Sequence, residues 1–186
     1  LINTNVAQPP VSPVGLEYVG EALVEANVPV QVLDLAFETD WKAALATRLK
    51  NIEPLAVGLS VRNTDDSSFA TKKSFLPWIK EVVTEVRRLT QALVLLGGVG
   101  FSTMPEAIIR VTRADAGIAG DGEEVALALT KCFMNGEDFS HLPNIVYWRG
   151  GNIISNPRAS VDLQRLPSPR RRLFDNKRYE QLGAMV

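Results

Sequence analysis

The side chains on which most hydrolytic and acyl-transfer enzymes depend are scarce in this sequence. It contains one histidine, His141, and one cysteine, Cys132. Nucleophilic catalysis needs a nucleophile and a neighbouring base, and no such pair can be assembled from these residues. Cys132 falls on the apolar stripe of a predicted helix, which favours core packing over redox chemistry. The chain alone is therefore predicted to hold a ligand, with no catalytic residue and no metal ligand.

Two glycine-rich loops could bind that ligand through the backbone. Residues 97–102 read Gly-Gly-Val-Gly-Phe-Ser, and residues 120–124 read Gly-Asp-Gly-Glu-Glu. Glycine lets the backbone approach a ligand closely, and a helix N-terminus favours a phosphate or another acceptor. Neither loop matches the dinucleotide fingerprint or the phosphate loop of nucleoside triphosphatases. Two such loops on separate strands predict a broad ligand rather than a mononucleotide.

Two further loops differ in character. Residues 5–14 contain Pro9, Pro10 and Pro13, which stiffen the backbone into a wall. Residues 62–74 are long and polar, as functional loops in compact domains often are. Each of the four loops follows an apolar, β-rich run and is numbered by that run's place along the chain: the first loop is residues 5–14, the third residues 62–74, the fourth residues 97–102 and the fifth residues 120–124. Because ligands of open parallel sheets bind beyond the carboxyl ends of the strands, all four loops are predicted to border one site.

A predicted α/β fold positions these loops. Its strands are short, continuously apolar runs, at residues 1–4, 30–34, 55–61, 92–97 and 116–119. Amphipathic helical patterns separate them, as expected when helices cover both faces of a sheet. The alternation predicts a doubly wound, five-stranded parallel sheet of the flavodoxin-like or Rossmann-like type.

Capping signals mark three helix starts. Asp40 can cap the helix predicted over residues 40–51. Thr103 with Glu106, and Asp121 with Glu124, have the spacing of capping boxes.

The pattern changes after residue 135. Residues 145–148 and 152–155 flank Gly150-Gly151, which is typical of a two-residue hairpin turn. Residues 156–186 carry three prolines and a basic cluster, and they are predicted to form an extended linker. We therefore divide the chain into a ligand-binding domain over residues 1–138 and a hairpin with linker over residues 139–186.

Composition limits the partners. Lys and Arg number 20 and Asp and Glu 21, so no global field favours nucleic acid or an anionic membrane. The basic cluster at residues 170–172 lacks interleaved aromatic residues, and nucleic acid is not an expected partner. No apolar run is long enough to cross a bilayer. The single cysteine and the lack of a secretory pattern predict a cytoplasmic protein.

Several motifs become informative when they are taken in order. They lie at residues 9–16, 58–63, 96–106, 120–124, 142–147, 156–157, 162–163, 166–170 and 175–179. Together they resemble the cobalamin-binding domain of cobalamin-dependent radical S-adenosylmethionine enzymes, and they cover nearly the whole chain. One departure is conservative: the family's usual Gly-Glu-Gly-Glu is Gly-Asp-Gly-Glu here.

The resemblance implies a corrin ring on the carboxyl edge of the sheet and a nucleotide tail beside the two glycine loops. The residues expected to flank the ring are Gln8, Pro9, Ser12, Val14, Ser60, Val61, Arg62, Asn63 and Thr64. Those expected to line the tail channel are Gly97, Gly98, Val99, Gly100 and Ser102, and those at its far end are Gly120, Asp121, Gly122 and Glu123. A bulky residue at Gly98 is expected to block binding and to leave folding nearly intact.

The cobalamin is expected to be base-off and without a protein imidazole. Other cobalamin proteins carry an Asp-x-His-x-x-Gly motif after the first strand, and no such motif follows that strand here. His141 lies past the last helix of the predicted domain. Arg62 and Asn63 are the residues expected nearest the cobalt, and neither is a good ligand.

The resemblance also implies a second half, which would be this domain's partner. In that family a Cys-x-x-x-Cys-x-x-Cys motif follows the linker, and these 186 residues contain no such triplet. An iron–sulfur cluster and S-adenosylmethionine are therefore expected only in the missing radical S-adenosylmethionine half, and methyl transfer is the expected reaction class. The substrate cannot be deduced from this chain. Two alternatives stay open: a free-standing cobalamin carrier or sensor, and a flavodoxin-like interaction module without a cofactor.

Overall fold

The computed structural model describes residues 1–66, 68–162 and 170–183. Ser67, residues 163–169 and residues 184–186 lie outside the described residues, so the linker motifs predicted at 163 and 166–169 are not described. The strands are β1 (Ile2–Asn3), β2 (Leu33–Asp34), β3 (Ala56–Ser60), β4 (Leu93–Gly97), β5 (Ala116–Ile118), β6 (Ile145–Arg149) and β7 (Asn152–Ser155). Within the described residues they form a single seven-stranded sheet, in the order β2-β1-β3-β4-β5-β6-β7.

The five predicted strands are present and pair in parallel, which confirms the doubly wound α/β class. The strand order changes direction between β1 and β3, and open α/β sheets bind ligands at such a switch point. The register places Asp34, Asn3, Ser60 and Gly97 side by side at the carboxyl edge. Three of the four loops predicted to border a site, those after β1, β3 and β4, therefore leave the sheet at one level.

The predicted hairpin is also present, but it is not a separate appendage. β6 pairs antiparallel with β5, with Ile145 opposite Ile118, and β7 pairs with β6. The sheet is therefore two strands wider than predicted: β6 runs against the five parallel strands, and β7 runs in their direction again. Because β6 runs backwards, its first residues meet the carboxyl edge beside the fifth loop.

The helices are α1 (Val14–Glu25), α2 (Trp41–Lys50), α3 (Leu76–Leu89), α4 (Val99–Thr103), α5 (Pro105–Thr112), α6 (Glu123–Asn135) and α7 (Asn176–Gln181). A short 3-10 turn, Leu35–Phe37, follows β2. In the part of the chain that the structure describes, no helix has both the length and the apolar character needed to span a membrane.

The capping predictions are right for one helix and wrong for two. Asp40 caps α2 by accepting a hydrogen bond from the Ala43 backbone N–H at 3.1 Å. The Thr103 hydroxyl instead donates to the Gly100 carbonyl at 2.7 Å, because residue 103 ends the short α4. The Asp121 carboxylate accepts from the Val161 backbone N–H at 3.2 Å rather than capping α6.

The two faces of the sheet are packed differently. Alternate residues of β3 and β4, such as Val57, Leu59 and Leu96, are buried in the main core with α3 and α5. The intervening residues face α1 and α6 and are only half-buried. Cys132 is 6% exposed in a second apolar cluster under α6, as its place on the apolar stripe predicted.

The end of the chain is more ordered than an extended linker. Residues 170–183 include α7, whose Tyr179 is fully buried, and Phe174 is 6% exposed. These residues therefore are not extended throughout, since they contain α7. Their burial comes from contacts with the amino-terminal part of the chain, which no local pattern reveals.

Candidate functional site

A cavity of about 1160 Å³ lies between the half-buried face of the sheet and the two helices α1 and α6. Its floor is formed by the outward-facing residues of β3 and β4. Its walls come from one side of α1 and one side of α6, with residues such as Val19, Leu23, Leu129 and Phe133. These wall residues are apolar, so the cavity suits a largely apolar group.

Small residues on the sheet explain why the cavity exists. Ala56, Gly58 and Gly97 occupy the positions of β3 and β4 where larger side chains would fill the gap. A Cβ atom at Gly97 would meet only the Ile118 carbonyl oxygen, 3.9 Å away. The helices α1 and α6 contact each other above this floor. The space between the sheet and these two helices is therefore a channel that side chains do not fill.

The channel opens at the carboxyl edge of the sheet. Val14 and Val99 are exposed at this mouth, 38% and 69% respectively. Twelve of the eighteen predicted site residues line the cavity: Ser12, Val14, Ser60, Arg62, Gly97, Gly98, Val99, Ser102, Gly120, Asp121, Gly122 and Glu123. The structure thus brings residues from the first, third, fourth and fifth loops to one place.

The fourth loop packs tightly against the end of β3. The Val61 carbonyl accepts from the backbone N–H groups of Gly100 at 3.0 Å and Phe101 at 3.2 Å. A Cβ atom at Gly98 would lie 2.8 Å from the Val61 oxygen, and the φ of Gly98 is +99°. A Cβ atom at Gly100 would lie 2.8 Å from the Arg62 backbone. Gly98 and Gly100 are therefore required by the backbone itself.

This packing corrects the expectation for Gly98. A bulky residue there cannot leave folding intact, because it collides with β3 before it reaches any ligand. Of the pair, only Gly97 has room for a Cβ atom.

The fifth loop holds a carboxylate oxygen without a partner. Glu123 opens α6 and lines the cavity, and its Oε2 atom is buried without a hydrogen bond among the described residues. A buried carboxylate oxygen that accepts nothing is costly. An acceptor held in this way suits a ligand that brings a hydroxyl or amide donor.

The loop around it is fixed by its neighbours. The Gly120 backbone N–H donates to the Ser102 hydroxyl at 2.8 Å, which ties the fifth loop to the fourth. The side chain of Asn144, 1% exposed, donates to the Asp121 carbonyl at 3.1 Å. The mouth is therefore bounded by loops that hydrogen-bond to one another.

The third loop reaches the cavity through Arg62. Arg62 lines both the large cavity and a small one of about 10 Å³, which it shares with Asn63 and Asn5. The Arg62 Nη1 atom donates to the Asn63 Oδ1 at 3.4 Å. Asn5 is 6% exposed and its Nδ2 atom has no hydrogen-bond acceptor among the described residues. The guanidinium thus lies at the mouth with polar neighbours behind it.

Six predicted residues do not line the cavity: Gln8, Pro9, Val61, Asn63, Thr64 and Gly100. Gln8 and Pro9 are exposed on the first loop, whereas Val61 is fully buried in the main core. Asn63 lines only the small cavity, and the Thr64 carbonyl accepts from the Phe75 backbone N–H at 2.8 Å. For Val61, Thr64 and Gly100 the contacts are those of loop structure.

Sequence analysis missed most of the channel's walls. The missed residues include Asn3, Leu16, Val19, Leu23, Ala56, Gly58, Leu95, Ile118, Ala126, Leu129, Thr130 and Phe133. Gly58 carried a usable signal, because a glycine in the middle of a strand marks a close approach of another group. The helical residues gave no such signal, because apolar residues at helical spacing look the same in the sequence whether they face a channel or a core.

Metal-binding side chains do not gather at the mouth. Among the described residues no group of three or more His, Cys, Asp and Glu could hold a metal ion. His141 is exposed and is not part of the cavity lining.

Comparison with known proteins agrees with this geometry. The family model described as B12 binding domain matches residues 1–130. The tryptophan 2-C-methyltransferase of Streptomyces laurentii is 36% identical over 172 residues, which is 90% of this chain and 29% of that protein. The chain thus spans less than a third of the length of this relative.

Solved structures agree as well. The radical S-adenosylmethionine methyltransferase TsrM from Kitasatospora setae, with cobalamin and a 4Fe–4S cluster bound, superposes with a TM-score of 0.89 and 30% identity. That match covers 99% of this chain and 37% of TsrM. A second TsrM structure, with tryptophan substrate and an S-adenosylmethionine analogue, gives a TM-score of 0.81 and 34% identity, over 84% of this chain and 29% of that one.

A more distant structure shares the fold. The cobalamin-dependent S-adenosylmethionine radical enzyme OxsB, with aqua-cobalamin bound, gives a TM-score of 0.73 at 18% identity, over 98% of this chain and 25% of that one. On the match over residues 1–130, this chain belongs to the family of B12-binding domains.

Proposed function

We propose that this chain binds cobalamin base-off, with the corrin ring on the carboxyl edge and the nucleotide tail in the channel between the sheet and the helices α1 and α6. The observation that carries the proposal is the channel itself. It lies under two helices, its floor includes Gly58 and Gly97, and its lining reaches both glycine loops. Side chains that filled such a gap would add apolar contacts and stabilise the fold, so packing alone does not explain the cavity.

The residues at the mouth have the chemistry that a corrin and its tail require. Val14 and Val99 offer exposed apolar contact at the ring's edge. The backbone at Gly97 leaves room for the tail, and the free Oε2 of Glu123 can accept a hydrogen bond from a hydroxyl or amide of the ligand. These residues bind and orient, whereas the bound cobalamin supplies the methyl-transfer chemistry.

In this proposal residues of the first and third loops would border the ring. Arg62 is the basic residue of the third loop that lines the mouth, with Asn63 behind it. A guanidinium has no free lone pair to offer a metal, and an amide oxygen is a weak donor. Arg62 and Asn63 would therefore offer the cobalt no strong ligand.

For the whole protein we propose a cobalamin-dependent radical S-adenosylmethionine methyltransferase of the cytoplasm. The 36% sequence identity to a tryptophan 2-C-methyltransferase, over 90% of this chain, supports that class. In this proposal the iron–sulfur cluster, S-adenosylmethionine and the methyl acceptor belong to a catalytic half, which is the partner of this B12-binding domain.

Titration with hydroxocobalamin tests the binding proposal. We expect stoichiometric retention of the cofactor by the chain and a base-off visible spectrum. Absence of retention at high micromolar concentration, in equilibrium dialysis, would contradict it.

Iron reconstitution tests the assignment of the cluster to the other half. Because one cysteine cannot supply the usual thiolate ligands, anaerobic treatment with iron and sulfide is expected to leave no stoichiometric iron. An iron–sulfur cluster bound to these 186 residues would contradict the assignment of the cluster to the catalytic half.

A further inference from the structure

The C-terminal strap, defined as residues 170–183, is anchored at the carboxyl ends of β1 and β2. The Tyr179 hydroxyl donates to Asp34 Oδ2 at 2.6 Å and accepts from Asn3 Nδ2 at 3.0 Å. The Tyr179 ring lies edge-on to Phe37, with the ring centroids 4.7 Å apart. Asn3 and Asp34 are partners in the last register position of their strands. The strap therefore binds the edge of the sheet from which the first loop leaves.

A buried ion pair joins the strap to α1. The Arg171 Nε atom donates to Glu17 Oε2 at 2.9 Å, and the Glu17 side chain is fully buried. The Asn176 Nδ2 atom donates to Glu17 Oε1 at 2.9 Å. Burying a carboxylate costs free energy unless it is paired and hydrogen-bonded. Both oxygens of Glu17 depend on the strap for these partners.

The same network reaches the first loop. The Ser12 hydroxyl donates to Asn176 Oδ1 at 2.8 Å and accepts from Arg171 Nη2 at 2.9 Å. Ser12 is 4% exposed, lines the cavity mouth and lies two residues before α1 begins. The proline-rich first loop is thus held at its end by two strap residues, across 159 and 164 positions of the chain.

The chain before the strap is attached to the opposite side of the mouth. The Val161 backbone N–H donates to Asp121 Oδ2 at 3.2 Å, and the Arg158 Nη2 donates to the Ser102 carbonyl at 2.6 Å. The Ala159 backbone N–H donates to Asn144 Oδ1 at 2.6 Å. The carboxyl-terminal part of the chain therefore contacts the mouth of the channel on two sides.

We propose that Arg171 and Asn176 are positioning residues for the cofactor: they hold the first loop where the cobalamin ring needs it, so that cobalamin affinity depends on the docked strap. This inference rests on the proposed cobalamin binding and adds to it a pair of residues outside the channel. Neither residue lines the cavity. Their effect on the ligand passes through Ser12 and Glu17.

The test compares Arg171→Met with Arg172→Met in the full 186-residue chain. Both changes remove one positive charge at neighbouring positions, but Arg172 is exposed whereas Arg171 is 29% exposed and pairs with Glu17. Asn176→Ala is a second, milder change that keeps the ion pair. Arg171→Lys keeps the charge but cannot bond to Glu17 and Ser12 with a planar fork.

Two measurements are made on each variant. The first is the Kd for hydroxocobalamin from visible titration, at a temperature where circular dichroism shows the variant to be folded. The second is amide hydrogen exchange of residues 5–14 in the absence of cobalamin. We expect Arg171→Met and Asn176→Ala to weaken binding about tenfold or more, a usual size for coupling between sites, and to speed exchange in the first loop. For Arg171→Lys we expect a Kd and an exchange rate between those of Arg171→Met and the wild type. For Arg172→Met we expect wild-type values of both.

The outcomes separate the strap from the binding proposal. A folded Arg171→Met chain with wild-type Kd and wild-type exchange in residues 5–14 overturns the inference, even if its melting temperature falls. If Arg171→Met does not fold, the same criteria apply to Asn176→Ala. If the wild type retains no cobalamin, the proposed function fails, and exchange in residues 5–14 alone decides whether the strap holds the loop.

Discussion

Gly97 and Gly98 are neighbours in the chain, but only Gly97 has room for a side chain, and that room is the channel. A Cβ atom on Gly97 meets nothing nearer than the Ile118 oxygen at 3.9 Å, whereas one on Gly98 lies 2.8 Å from the Val61 oxygen. One glycine keeps space for a ligand, and the other is required by the packing of the loop.

Replacing Gly97 is therefore expected to separate binding from folding. The Cβ atom of Gly97→Leu would meet only the Ile118 carbonyl oxygen, at 3.9 Å, and the rest of the side chain would occupy the floor of the channel. We expect the variant to stay folded and to lose cobalamin affinity about 100-fold, which corresponds to about 3 kcal/mol of lost contact. Visible titration gives the affinity, and the thermal unfolding midpoint checks the fold.

Gly98→Ala is the matched control. A non-glycine residue at φ +99° carries a strained backbone, so the variant is expected to lose about 1–3 kcal/mol of unfolding free energy. Equal affinity of Gly97→Leu and wild type would place the nucleotide tail outside this channel.

Glu123 provides a second test of the channel. Because its Oε2 atom has no partner in the described residues, Glu123→Leu is expected to leave the unfolding free energy of the free chain unchanged or slightly raised. If that oxygen accepts a hydrogen bond from cobalamin, the same change costs about 1.5–3 kcal/mol of binding. Glu124→Leu, at the exposed neighbouring position of α6, removes the same charge near the helix N-terminus and serves as the control. Similar Kd values for the two variants would argue against a ligand contact.

The fold was predictable from sequence because its signals are local. Parallel strands buried on both faces are continuous apolar runs, and glycine loops stand out wherever they occur. The channel walls were not predictable in this way, because Leu129 has the same helical spacing whether it faces a core or a cavity. The pair between Arg171 and Glu17 spans 154 positions and involves polar residues, which leave no periodic trace. The sequence therefore predicts the basic cluster at residues 170–172 as part of an extended linker, although Arg171 is half-buried and pairs with Glu17.

The position of His141 leads to a spectroscopic prediction. His141 is exposed and does not line the cavity, so it is not placed to coordinate the cobalt. The electron paramagnetic resonance spectrum of bound cob(II)alamin is expected to show no nitrogen superhyperfine splitting from the protein. His141→Ala should leave the spectrum and the Kd unchanged. A nitrogen signal that disappeared in this variant would contradict the base-off, histidine-free site.

Tyr179 leads to a prediction about alkaline stability. Its burial, together with the hydrogen bond to Asp34, raises the pKa of the Tyr179 phenol well above its usual value. The folded chain therefore keeps the phenolic proton at a pH where the unfolded chain loses it. The stabilisation is complete below the unfolded pKa of about 10 and is lost as the pH rises from there towards the folded value.

Urea unfolding between neutral pH and pH values above that unfolded pKa measures this effect. For the wild type we expect the unfolding free energy to fall with rising pH in the alkaline range. Tyr179→Phe removes the titrating group and is expected to flatten the part of the slope that Tyr179 contributes. At neutral pH the same variant should lose about 1–3 kcal/mol, because Asp34 and Asn3 each lose a buried hydrogen-bond partner. Identical alkaline slopes for the two chains would show that the phenol is not held at the carboxyl edge of the sheet, and the anchoring of the strap would then have to rest on Arg171 and Asn176 alone.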